Sequence, residues 1–112
     1  MARVINEKEF AEMINSNTES NSQKPLIVDC YTDWCAPCKA SAPIYEQMSQ
    51  KYKDHADFVK INVDQNQGAA QKLQVRNIPT FAILIGNRVV TRIVGANMKK
   101  LESSIKDIID KN

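Results

Sequence analysis

The stretch LIVDCYTDWCAPCK, residues 26–39, passes directly from a strand pattern to a helix pattern. Its first six residues form an apolar run broken by one acid, Asp29, without the alternation of a half-exposed strand. Such a run predicts a strand covered on both faces, which requires a sheet with helices on each side. From Cys35 the period changes. Ile44, Tyr45, Met48 and Tyr52 fall on one stripe of a helix over residues 35 to about 52, with Pro43 expected to kink it. A buried strand thus delivers two cysteines, Cys35 and Cys38, to the first turn of a helix.

Working outward, residues 3–5 fit a short strand. Asn6 reads as a helix cap, Glu9 completes a capping box, and Phe10, Met13 and Ile14 follow at helical spacing. Residues 15–24, NSNTESNSQK, are polar throughout and are expected to form an exposed loop. Residues 58–63, FVKINV, and 80–85, TFAILI, read as two more buried strands, with residues 66–73 as a short helix between them. Gly86-Asn87 marks a tight turn that returns the chain through residues 89–94 as a hairpin partner. Asn97 caps a last helix with Leu101, Ile105, Ile108 and Ile109 on its apolar face. The order β-α-β-α-β-α-β-β-α predicts an α/β protein with a central mixed five-stranded sheet flanked by four helices. One domain is expected over residues 1–112.

Composition narrows the function. Apolar residues make up 43% and charged residues 25%, as in globular proteins. The 15 basic and 13 acidic residues leave a net charge of +2, too balanced to argue for nucleic acid or an anionic membrane surface. No run approaches the ~20 apolar residues of a membrane span, and the start, MARVINEKEF, lacks the apolar run of a signal peptide. The expected setting is therefore cytoplasmic, where a Cys-x-x-Cys reads as catalytic or metal-binding. A closed zinc site needs four ligands, and the candidates are Cys30, Cys35, Cys38 and the single His55. Cys30 lies inside the strand and His55 in the charged stretch KYKDHAD, so no metal is expected.

A redox role fits the pair better. At the start of a helix the first N–H groups lack partners and the dipole favours negative charge, by up to ~2 kcal/mol in partly buried geometry. At about 1.4 kcal/mol per unit, a thiol there falls by about one unit from ~8.5. Cys35 is the expected nucleophile. Cys38, one turn on, is expected to be less exposed and suits the resolving role, and a small tightening of that turn brings the two sulfurs together. Pro37 omits an N–H that has no helical partner there. Ala36 is small and leaves Cys35 accessible, and Trp34 abuts the thiol as a surface platform.

WCAPCK followed by Pro43, with IVDCY before it and NIPTF after it, resembles the thioredoxin family. The likeness runs from about residue 26 to the C-terminus and more weakly before it. A common form of the motif has glycine where Ala36 stands. The resemblance implies the thioredoxin fold and a general protein-disulfide reductase with no bound cofactor, serving cell redox homeostasis. Such a protein cycles between a Cys35–Cys38 dithiol and a disulfide through a mixed disulfide. The resemblance implies that Asp29 moves the proton of Cys38 and that Lys60 tunes Asp29, since burial raises an acid toward a useful base. A hydrogen-bonded structural acid and a snorkelling lysine stand as the alternatives. It implies a cis bond before Pro79 and a groove lined by Trp34, Ala36, Pro37, Ile78, Pro79, Val94, Gly95 and Ala96, which takes an extended protein substrate as a strand. Asn77 stands where glycine is frequent. Cys30 stands where an aromatic is common and reads as a packed, inert thiol, with a regulatory thiol as the alternative.

Three glycines, Gly68, Gly86 and Gly95, leave no dinucleotide-binding loop, so electrons must come from another protein. The resemblance implies a flavin- and NADPH-dependent thioredoxin reductase as the donor to a monomer. Two rivals use the same residues: an oxidase or isomerase of a secretory compartment, and a scaffold whose thiols are incidental.

Overall fold

The computed structural model describes residues 2–111; Met1 and Asn112, the two ends of the expected 1–112 unit, lie outside the described residues. Strand β2 (Leu26–Tyr31) lies at the centre of a five-stranded sheet of order β1-β3-β2-β4-β5. It pairs in parallel with β3 (Asp57–Asn62), which pairs in parallel with β1 (Arg3–Val4). On its other side it pairs antiparallel with β4 (Thr80–Ile85), which forms the hairpin with β5 (Arg88–Val94). The predicted mixed sheet and its four helices, α1 (Glu7–Glu19), α2 (Ala36–Lys51), α3 (Gln67–Lys72) and α4 (Met98–Lys111), are all present in the predicted order.

The unbroken apolar run of β2 follows from this place. Leu26, Val28 and Cys30 face one core with Phe10 and Ile14 of α1 and Ala69 of α3. Ile27 faces the other, with Tyr45 and Met48 of α2 and Leu101 and Ile105 of α4. Asp29 falls on the Ile27 side by the period of two, so the strand's one acid is directed toward the face that α2 covers.

Two expectations need correction. Residues 15–24 are not all loop: α1 continues to Glu19. The Thr18 hydroxyl bonds back to the Ile14 carbonyl at 2.7 Å, and the end is closed by Asn21 N–H on Thr18 O at 3.1 Å and Ser22 N–H on Asn17 O at 2.9 Å. That is a Schellman cap with Asn21 in the left-handed region, φ 54°. A helix anchored by Phe10 and Ile14 can run on into polar residues because its last turn faces solvent. The second correction is Ile44, which is 41% exposed and lies off the buried stripe of α2. Elsewhere Asn6 and Glu9 form the predicted capping box. Gly86 takes φ 61° as the first residue of the hairpin turn, where glycine is free of the Cβ penalty.

Candidate functional site

The chain leaves the C-terminal end of β2 through Thr32, Asp33 and Trp34 and enters α2 at Cys35. Cys35 is the N-cap, with extended backbone, and its sulfur accepts the Cys38 N–H at 3.2 Å. A hydrogen bond from an otherwise unpaired helix N–H is what an ionised sulfur needs at that position. Cys35 and Cys38 are joined in a disulfide with Cα atoms 5.2 Å apart. Pro37 occupies the first turn of α2, where its missing N–H leaves no gap. The expected contrast in exposure is not found: Cys35 is 4% and Cys38 5% exposed. Exposure therefore does not separate the two thiols; their surroundings do.

Cys38 lines a cavity of about 140 Å³ together with Asp29, Thr32, Lys39, Ala42 and Lys60. Burial pushes the Asp29 carboxyl up to about 7, against a downward pull from the Lys60 charge and with a further upward push from Glu46. Lys60 lies beside Asp29 in the β2–β3 register, and its Nζ sits 5.0 Å from the centroid of the Tyr31 ring. It is thus neither a plain ion-pair partner nor a surface lysine: its charge acts on Asp29 through space while its head rests on an aromatic face. Cys30, on the opposite face of β2, is the one free cysteine, and burial pushes its thiol up to about 12. It is packed in the core, 0% exposed. Among the described residues no group of three or more His, Cys, Asp or Glu is placed to hold a metal ion.

The sequence-predicted groove residues gather at the same end of the sheet. The register pairs Cys30 with Thr80 and Thr80 with Val94, so the Ile78–Pro79 loop and the end of β5 flank the exit of β2. The Ile78–Pro79 bond is cis, and Gly95 N–H donates to Pro79 O at 2.8 Å. Trp34, at 71% exposed, and Val94, at 59%, are two of the few large apolar side chains open to solvent. Ala36, Pro37 and Ala96 are exposed with them. Gly95 sits at φ 87°, a backbone conformation that favours glycine, and a Cβ there would meet nothing within 4 Å, so conformation rather than crowding selects it.

Sequence reading missed several supporting residues. Trp34 Nε1 donates to Asp64 Oδ2 at 2.8 Å, which fixes the indole beside Cys35. Asn62 accepts the Asp64 N–H at 3.0 Å and donates to Asp33 Oδ2 at 3.3 Å, tying the end of β3 to the loop before α2. An exposed indole N–H signals that an acceptor is needed, but nothing along the chain says which acid supplies it.

A helix N-terminal cysteine pair following a buried strand, beside a buried acid and a cis-proline loop, defines the class of thiol–disulfide exchange proteins. The comparisons with known proteins agree. The Thioredoxin family model matches residues 1–107. The chain is 35% identical over 105 residues to a chloroplastic thioredoxin F-type of Pisum sativum, covering 93% of this chain and 55% of that one. It is 45% identical over 83 residues to Thioredoxin-1 of Schizosaccharomyces pombe, covering 74% of this chain and 80% of that one. Among solved structures, a chain in a crystal structure of a ferredoxin:thioredoxin reductase and thioredoxin f2 complex superposes with a TM-score of 0.85 at 32% identity, covering 95% of this chain and 93% of that chain. The chain belongs to the thioredoxin family, whose members are protein-disulfide oxidoreductases. It spans little more than half the length of the pea relative.

Proposed function

We propose that this chain is a general protein-disulfide reductase, working as one domain and as a monomer. The carrying observation is the Cys35–Cys38 disulfide at the N-terminus of α2, with Cys38 sharing a cavity with Asp29. In the reduced protein the Cys35 thiolate attacks a sulfur of the substrate disulfide. A mixed disulfide forms and one substrate sulfur leaves. Asp29 then accepts the proton of Cys38, and the Cys38 thiolate attacks Cys35. The Cys35–Cys38 bond forms, the bond from Cys35 to substrate breaks, and the second substrate sulfur leaves as a thiol. Trp34, Ala36, Pro37, Ile78, Pro79, Val94, Gly95 and Ala96 receive the substrate chain, the cis loop pairing with it as a strand.

Asp29 serves as the base only when ionised. With its carboxyl at about 7, the Cys38 step accelerates as pH rises through that value. Insulin reduction tests the whole scheme: Cys35→Ser loses turnover, whereas Cys38→Ser accumulates mixed disulfides. Turnover that survives in Cys35→Ser contradicts the assignment. A reduction potential near or below the cytosolic glutathione poise supports a reductase, and one well above it supports the oxidase rival.

For the electron donor we propose a flavin- and NADPH-dependent thioredoxin reductase. The solved complex of thioredoxin f2 with a ferredoxin:thioredoxin reductase supports a ferredoxin-linked donor as the second reading. Coupled assays with each reductase in turn decide between them by which one sustains insulin reduction. We propose the cytoplasm as the location; the chloroplastic relatives support the chloroplast as the alternative, and organelle fractionation separates the two.

A further inference from the structure

Among the described residues, two buried side-chain oxygens have no hydrogen-bond partner in the protein: Asp29 Oδ1 and Thr32 Oγ1. Their residues are 1% and 2% exposed. Both residues line a cavity that Cys38 also lines. Leaving a buried polar group unpaired costs about 1–3 kcal/mol, so two of them on one chamber call for a common partner. At about 140 Å³ the chamber has room for water, which takes roughly 30 Å³ per molecule in the liquid. The Asp29 carboxylate only accepts hydrogen bonds, whereas the Thr32 hydroxyl both donates and accepts. Thr32 is also tethered to the start of α2, since its carbonyl accepts the Cys35 N–H at 3.5 Å. Its hydroxyl is therefore held in register with the disulfide.

We propose that Thr32 is a positioning residue for the resolving step: its hydroxyl and Asp29 Oδ1 together hold a water that links the carboxylate to the Cys38 sulfur. The inference rests on Cys38 as the second attacking thiol and Asp29 as its base. Cys38 gives its proton to the held water, and that water passes one on to Asp29. The sulfur electron pair forms the bond to Cys35. The bond from Cys35 to the substrate breaks, and the departing substrate sulfur takes up the proton. One disulfide is lost and one gained, so no outside oxidant enters.

The test separates the two chemical steps in the full-length protein. A single-turnover experiment with a fluorogenic peptide disulfide reads formation of the mixed disulfide in a Cys38→Ser background and its resolution with Cys38 present. Thr32→Val keeps the shape and removes the hydroxyl. It should slow resolution about tenfold while leaving formation of the mixed disulfide unchanged, and Thr32→Ser should restore the resolution rate. Thermal unfolding of each variant checks that the fold is retained. Resolution at the wild-type rate in Thr32→Val overturns the proposal. So does equal slowing of both steps, or a failure of Thr32→Ser to rescue, because either marks a packing role. Asp29→Asn is the companion control. If it leaves resolution intact, the base assignment itself falls and takes the Thr32 role with it; if it slows resolution while Thr32→Val does not, the Thr32 role alone is lost.

Discussion

Asp29 carries the most consequence of any single residue. Its carboxyl stands at about 7 in the folded protein against an ordinary value of 3.8, chiefly through burial. The native state therefore holds a proton that the unfolded chain has already released. The charges that face it are Lys60 from β3 and Glu46 from α2. By linkage, stability is fully present below about pH 4, is lost as pH rises toward about 7, and levels off above it. Asp29→Asn should therefore stabilise the protein at pH 8 by on the order of 2–4 kcal/mol and change little at pH 3.5. Denaturant midpoints at the two pH values check this, and equal effects at both would refute the burial argument. Lys60→Ala should move the Asp29 midpoint higher, since the lysine charge favours the carboxylate. Carbon NMR titration of the carboxyl reads that shift directly. Tyr45 shows the same logic without titration. Its hydroxyl donates to Ile27 O at 3.0 Å and Val59 O at 2.8 Å, bridging two strands from inside the core. Tyr45→Phe should cost about 1 kcal/mol, measured as a lowered urea midpoint with unchanged slope. The apolar stripe predicts that Tyr45 is buried but is silent on where its hydroxyl ends.

Among the elements, the short helix α3 depends on its ends more than on its length. Glu7, at the start of α1, accepts the Gly68 N–H at 2.9 Å and the Ala69 N–H at 3.3 Å. Asn66 returns the favour by accepting the Glu7 N–H at 2.9 Å. The two helix starts cap each other, and a Cβ at position 68 would lie 3.0 Å from the Glu7 carboxylate. Glu7→Gln should lower stability by about 1 kcal/mol and raise amide exchange at Gly68 and Ala69 before the rest of the molecule. At its other end α3 closes with Gln74 at φ 55°, Gln74 N–H on Gln71 O and Val75 N–H on Ala70 O. Gln74→Gly should raise the melting temperature, by relieving a left-handed residue at a gain of about 0.5–1 kcal/mol. A lowered melting temperature would show that the cap is unstrained. Sequence patterning located the longer strands and helices because each buries a face of recognisable period. It misplaced the end of α1 because polar residues on a solvent-facing turn look alike in helix and loop, and the Asn21 cap is a conformation rather than a pattern.

At the scale of the whole molecule, the central strands β2 and β4 are covered on both faces, whereas β1 is an exposed two-residue edge. Their amides should exchange with solvent only on global unfolding, and exchange in β2 as fast as in β1 would contradict the layered core. The site lies where this sheet ends, assembled from the exits of β2, β3 and β5 and the entry of β4. The buried strand, the helix that follows it, the cysteine pair at their junction and the acid within the strand are all readable along the chain. Each of these is a local matter of period, spacing and residue type. Packing of the layers, by contrast, sets that Thr32 shares a chamber with Asp29 and Cys38, that Asp64 holds Trp34 and that Glu7 caps a helix 61 residues away. Those facts depend on which chain segments the sheet brings side by side, and a one-dimensional pattern carries no distance between segments that meet only when the layers pack.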